Sequence, residues 1–288
     1  MRWLRAPAKI NLSLRVLARR SDGLHEIESL VAFAGICDWL GYEPGRSLEL
    51  DVEGPTALEA GPPEKNLVLR AARALAARVP GLTLGRFRLV KRLPAAAGIG
   101  GGSADAAAAL TALAESNGLS EEDERLRAAA AETGADVPVC LFPKARIVSG
   151  VGERLGPPVA LPDVFAVLVN PRVSAPTRDV FEALGLAPGS RFEPAGRPTF
   201  AVVSKGGITL DTLVSGRNDL EPAALRVAPV IGLALETLSR LPGAKAARMS
   251  GSGSTCFALF DSRLGAAAAQ RMVVAEQPHW WAKATALS

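Results

Sequence analysis

The chain has 288 residues, 48% of them hydrophobic and 22% charged. This composition supports a substantial core and excludes a disordered chain. A net charge of +4, from 33 basic against 29 acidic residues, is too mild to argue for nucleic acid by itself. Cys37, Cys140 and Cys256 stand far apart. No C-x-x-C or His/Cys cluster accompanies them, so neither a zinc site nor a disulfide framework is suggested, and they read as small buried residues in a reducing compartment.

The N-terminal run Met1-Arg2-Trp3-Leu4-Arg5 lacks an apolar leader, and no apolar run approaches a membrane span. A cytoplasmic protein is expected. Residues 9–16 alternate, Ile10, Leu12, Leu14 and Val16 against Lys9, Asn11, Ser13 and Arg15. This predicts a half-buried strand with Lys9 and Asn11 on its polar face. Further strands are predicted over 29–39, 47–52 and 87–90, and a helix from Asn66 to Val79. Arg86, Arg88, Lys91 and Arg92 form the densest basic patch and read as a solvated strand edge, or as an attraction for an anionic substrate.

A helix is expected from Ser103 to Asn117, and another from Glu121 to Thr133 capped by Ser120. Asp136 then sits in the loop before Val137-Pro138-Val139. The rigid Gly156-Pro157-Pro158 turn is the candidate boundary between domains 1–156 and 157–288. Beyond it come a strand over 164–169, a helix from Thr177 to Leu184 capped by Thr177, and a surface loop over 185–200. Pro222 and Pro229 divide 221–241 into two helices. Strands over 246–250 and 255–260 flank Gly251-Ser252-Gly253-Ser254. A helix over 263–276 and a strand near Trp280 close the chain. Strands and helices interleave without βαβ regularity, so the expected class is α+β.

Pro94-Ala95-Ala96-Ala97-Gly98-Ile99-Gly100-Gly101-Gly102-Ser103-Ala104 is the most informative stretch. Glycines let a backbone approach a ligand, and the helix that follows offers unpaired N–H groups and a positive dipole end. Together they suit a phosphate group. No Walker A, Rossmann or protein-kinase signature is present. On its own, the stretch also reads as a flexible turn before an ordinary helix.

Three separated segments occur in order: Ala6-Pro7-Ala8-Lys9-Ile10-Asn11-Leu12, the loop just described, and Met249-Ser250-Gly251-Ser252-Gly253-Ser254. They resemble motifs one, two and three of the galactokinase, homoserine, mevalonate and phosphomevalonate (GHMP) kinase superfamily. Ser21-Asp22-Gly23-Leu24-His25-Glu26, Thr133-Gly134-Ala135-Asp136-Val137-Pro138 and Asn218-Asp219-Leu220-Glu221 resemble its branch acting on a cytidyl-diphosphate-linked methylerythritol in the non-mevalonate isoprenoid route. The resemblance implies an N-terminal domain like domain 2 of ribosomal protein S5, a ferredoxin-like C-terminal domain and a site between them. It also implies ATP and Mg²⁺, a cytidyl diphosphate sugar alcohol as the small-molecule substrate, no nucleic-acid or membrane partner, and a monomer or weak homodimer.

By the same resemblance, Asp136 accepts the proton of the attacking 2-hydroxyl and Lys9 keeps that carboxylate ionised. Read alone, these are a turn residue and a surface lysine. The stretch Pro94 to Ala104 takes the phosphates, Ser103 lies near them and the Mg²⁺, and Asn66 lies near adenine. Ser103 and Asn66 alone read as helix caps. His25 reads the cytosine edge, Asn11 and Thr177 fix the substrate, and Phe181 stacks on cytosine; Phe181 alone reads as core and His25 as structural. Leu24 stands where the family usually has tyrosine, and Lys144 where it often has glycine. The alternatives are a superfamily kinase for another alcohol and a noncatalytic nucleotide-binding relative.

Overall fold

The computed structural model describes residues 1–192 and 207–288. Contacts gather the chain into two compact units. The first comprises Met1–Lys9, Ile36–Ala95 and Gly100–Pro143; the second comprises Ile10–Gly35, Ala96–Ile99 and Lys144–Ser288.

In the first unit the later half of β2 (His25–Gly45) pairs antiparallel with β4 (Leu84–Val90), which pairs in parallel with β3 (Glu49–Glu53). The helices are α1 (Leu67–Ala76), α2 (Gly101–Ser116), α3 (Glu124–Thr133) and α4 (Val137–Leu141). The alanine-rich α2 buries Ala104, Ala106 to Leu110 and Ala112 to Ala114. A helix apolar on most sides belongs inside a protein, and alanine lets its neighbours approach closely.

In the second unit β7 (Phe165–Asn170), β8 (Ala246–Met249), β9 (Cys256–Phe260) and β10 (Trp281–Ala286) form an antiparallel sheet ordered β10-β7-β9-β8. Helices α5 (Thr177–Ala183), α6 (Leu210–Ser215), α7 (Glu221–Val227) and α8 (Val230–Ser239) come between β7 and β8, and α9 (Arg263–Glu276) joins β9 to β10. That order and connectivity are ferredoxin-like. The core gathers Val167, Val169, Ile231, Leu238, Phe260 and Val273 with Leu14 and Val16 of β1 (Arg2–Arg19). The first half of β2 pairs with β5 (Arg146–Gly150), and β5 with β6 (Arg154–Pro158). The α+β class is as expected.

Several local expectations are corrected. Residues 8–14 of β1 are buried on both faces, so its polar alternation marks interior contacts rather than solvent. Lys91 is 2% exposed and does not belong to a solvated edge; Arg86 and Arg88 do, where they pair with Asp51 and Glu53. Asp123, not Ser120, caps α3 through Arg125 N (2.9 Å), because the backbone turns at Ser120 before the helix begins. Helix α2 starts at Gly101, which moves two glycines from the loop into the first turn. Gly156, Pro157 and Pro158 lie in β6. Residues 193–200 of the expected loop fall outside the described residues. No described helix is long and apolar enough to cross a membrane.

Candidate active site

In the first unit, Lys9 Nζ lies 2.6 Å from Asp136 Oδ1. The lysine side chain is 8% exposed and the aspartate 44%. Gly134 ends α3, the chain turns, and Asp136 stands at the N-cap of α4 without capping it through its side chain. Its carboxylate is therefore committed to Lys9. Gly100 precedes α2 at φ +62°, and a Cβ there would lie 3.2 Å from Lys9 Cβ. The glycine thus serves a left-handed turn and brings the start of α2 against the lysine. Ser103 lies half-buried on the first turn of α2, and Ala104 N donates to Gly100 O (2.9 Å). Asn66 caps α1 through Val68 N (3.0 Å), as its reading as a cap anticipates.

A buried charge cluster that sequence reading missed underlies the same helix. Lys91 Nζ donates to Asp38 Oδ2, and to Asp105 Oδ2 at 2.7 Å. Asp38 Oδ1 also accepts from the N–H of Leu93 (2.9 Å). Asp105 Oδ1 is buried without a hydrogen bond. Burial, eased by Lys91 and aggravated by Asp38, pushes the Asp105 carboxyl up to about 7. Removing one partner of such a group leaves a buried charge uncompensated, which typically costs about 3–5 kcal/mol. The signal in the sequence was Lys91 itself, a charged residue between the alternating strand Phe87 to Val90 and the apolar Leu93.

In the second unit, the Ala96 to Ile99 turn docks on the third glycine motif. Ser250 Oγ donates to Gly98 O (3.0 Å) and Thr255 N donates to Ala97 O (3.1 Å). Gly98 sits at φ +73°, and a Cβ there would come 2.5 Å from Ser250 O and 2.7 Å from Gly253 O. Packing of backbone on backbone requires this glycine. Ala97 and Ile99 are buried. Asn218 Nδ2 donates to Met249 O and Gly251 O, Asp219 accepts from Val16 N, and Glu221 accepts from Met249 N. The Asn218-to-Glu221 run thereby braces the third motif and β1. Arg248, held by carbonyls of Leu12, Leu213 and Val214, is pushed down to about 10 by burial.

Asn11 belongs to this unit. Its N–H donates to Ser250 Oγ (3.1 Å) and its Nδ2 donates to Ser29 Oγ (2.7 Å). Thr177 is the first residue of α5 rather than its cap; its hydroxyl lies 2.9 Å from that of Ser252. His25 and Phe181 stack on each other, with ring centroids 4.5 Å apart. Burial, and then the charge of Arg19, lower the pKa of His25, and its Nε2 is buried without a hydrogen bond. Leu24 is 52% exposed in the turn before β2. Lys144 is exposed, and its carbonyl accepts from Arg146 Nε.

A glycine turn opening a buried helix against a lysine–carboxylate pair suits phosphoryl transfer to an alcohol. Family models described as GHMP kinases N terminal domain and GHMP kinases C terminal match residues 66–144 and 210–279. A 4-diphosphocytidyl-2-C-methyl-D-erythritol kinase of Xanthobacter autotrophicus is 57% identical, covering 98% of both chains. One of Methylobacterium radiotolerans is 56% identical, again over 98% of both. A crystal structure of 4-(cytidine 5'-diphospho)-2C-methyl-D-erythritol kinase covers 100% of this chain and 99% of its own, with 33% identity and a TM-score of 0.78. A homoserine kinase structure from Cytophaga hutchinsonii, 18% identical over 99% of this chain and 94% of its own with a TM-score of 0.68, shares the fold. The protein is a small-molecule kinase of two-domain architecture. It belongs to the GHMP kinase family.

Proposed function

We propose that this chain transfers the γ-phosphoryl group of ATP to the 2-hydroxyl of 4-diphosphocytidyl-2-C-methyl-D-erythritol, a step toward isoprenoid precursors outside the mevalonate route. The observation that carries the chemistry is the Lys9–Asp136 pair. Asp136 accepts the hydroxyl proton as the bond to phosphorus forms. The Lys9 ammonium pairs with the Asp136 carboxylate and holds its orientation. The transition state of phosphoryl transfer is loose, so positioning and charge stabilisation matter more than full prior deprotonation.

The stretch Pro94 to Ala104 is the proposed nucleotide site, with Asn66 beside adenine. Because Ala97 and Ile99 are buried, phosphates there meet backbone rather than side chains. Among the described residues no group of three or more His, Cys, Asp or Glu is placed to hold a metal. Ser103, half-buried on the first turn of α2, offers the hydroxyl that would hold the ion. Bound Mg²⁺ would neutralise charge on the β- and γ-oxygens.

Asn11, Leu24, His25, Thr177 and Phe181 are the proposed contacts to the cytidyl substrate. The lowered pKa of His25 keeps its ring neutral near pH 7, with one donor and one acceptor for a base edge. A base that takes the His25 side of Phe181 displaces the present ring stack. Residues 1–156 would carry the nucleotide loop and the proton acceptor, and residues 157–288 the Thr177 and Phe181 contacts and the third glycine motif. A cytoplasmic location follows from the same reading. The test is turnover by the purified chain with ATP, Mg²⁺ and a panel of alcohols. The cytidyl substrate should be preferred by at least about 100-fold in kcat/KM over mevalonate and homoserine; preference for another alcohol overturns the assignment.

A further inference from the structure

Within the second unit, Ser29 Oγ lies 2.6 Å from the carbonyl oxygen of Ser13 and 2.7 Å from Asn11 Nδ2. A carbonyl oxygen carries no hydrogen, so a contact that short requires the Ser29 proton on the Ser13 side. The lone pairs of Ser29 then face Asn11, and only the NH₂ end of the Asn11 amide satisfies them. Ser29 is fully buried, away from bulk solvent. The orientation of the Asn11 amide is thereby fixed by a hydroxyl whose own direction is fixed.

The other end of that amide is left in an unusual state. Asn11 is 3% exposed, yet its Oδ1 has no hydrogen bond. A buried carbonyl without a donor is costly. It lies where the two glycine motifs meet: a Cβ on Gly251 would be 3.2 Å from Asn11 Oδ1 and 3.0 Å from Gly98 O. The glycine at 251 places no side chain against this oxygen.

We infer that Ser29 is a positioning residue for substrate recognition: through the Ser13–Ser29–Asn11 chain it sets the Asn11 amide so that Oδ1 accepts a hydrogen bond from a hydroxyl or amine donor of the alcohol substrate. This rests on the cytidyl-kinase reading, in which Asn11 contacts the substrate. Losing Ser29 frees the amide to turn its NH₂ end toward the donor, where it cannot accept.

The experiment is steady-state kinetics of Ser29→Ala, Asn11→Ala and the double variant, with cytidyl substrate and ATP varied separately. One neutral hydrogen bond corresponds to about a three- to tenfold rise in the KM for the cytidyl substrate on Ser29→Ala. The KM for ATP stays within about twofold, and in the Asn11→Ala background Ser29→Ala adds nothing. If the alanine variant does not fold, Ser29→Thr against Ser29→Val makes the same comparison at near-constant shape; threonine keeps the wild-type KM and valine loses it. A wild-type KM in the hydroxyl-free variant overturns the inference, as does an equal rise in both KM values or a persisting effect in the Asn11→Ala background. A wild-type chain that turns over another alcohol but not the cytidyl compound instead overturns the reading beneath it.

Discussion

Lys9 and Asp136, 127 positions apart in the chain, meet at 2.6 Å, and the lysine that approaches is buried while the carboxylate it holds is half exposed. That asymmetry suits a proton acceptor: its charge is fixed from one side and its other side is open to an alcohol. Asp136→Asn keeps the size and removes the acceptor. We expect kcat to fall about 10²- to 10⁴-fold, the usual range for a lost general base, with little change in cytidyl-substrate affinity measured by calorimetry. A variant that keeps most of its kcat removes Asp136 from the mechanism.

Two glycines of one motif should respond in opposite ways. Gly98→Ala combines positive φ with backbone at 2.5 Å, so it should lose about 2 kcal/mol or more of stability. Gly101 lies in helix α2, with its nearest would-be Cβ neighbour at 3.6 Å. Gly101→Ala should fold at least as stably as wild type, since alanine favours helix. The added methyl faces Leu93, Lys91 and Asp38 and the backbone N–H is retained, so the KM for ATP should stay near the wild-type value. Urea titration and ATP kinetics on both variants decide; equal stability losses would contradict the two roles.

The kind of information in each segment explains how much of this was legible. In the second unit β7 to β10, α5 and α7 to α9 followed from hydrophobic period and prolines: two helices over 221–241 were expected, and Pro222 sits in the first turn of α7 while Pro229 separates it from α8. The three glycine motifs were legible because their residue types serve geometry. What depended on long-range pairing was not. β2 runs from His25 to Gly45 because β5 pairs with its first half and β4 with its second, and nothing in its local pattern announces the join. The Lys91 cluster escaped for the same reason, since Asp38 and Asp105 come from distant segments. Helix α4 was hidden because Val137-Pro138-Val139 lacks helix propensity, although proline suits a first turn.

The buried Asp105 gives stability a definite pH dependence. Its carboxyl is raised from 3.8 to about 7 in the folded protein. Between these values the folded state holds a proton that the unfolded chain releases. Stability therefore falls as pH rises through this window and levels off above it. Asp105→Asn cannot ionise, so it should lack that component and gain on wild type as pH rises from 5 to 8. Urea unfolding at four pH values tests this; parallel curves for the two proteins would sink it.

At the proposed base site, Leu24 is 52% exposed, so replacing it disturbs no core. A ring stacked on one face lacks part of the aromatic term, roughly 1–3 kcal/mol per base. Leu24→Tyr should lower the KM for the cytidyl substrate by up to about tenfold. Its kcat should barely move, because the base is held alike in ground and transition states. Phe181→Ala should raise the same KM. An unchanged KM in both variants would mean that cytosine does not lie at these positions.

The most direct measurement is the structure of the product. The purified chain would be given ATP, Mg²⁺ and cytidyl substrate labelled with ¹³C in the methylerythritol moiety, and the reaction followed by ³¹P and ¹³C NMR. The account predicts a new phosphate monoester signal coupled to C2, produced by the wild type and lost on the same timescale in Asp136→Asn. Phosphate on a different hydroxyl, no product from a folded wild-type chain, or undiminished product from Asp136→Asn would contradict it.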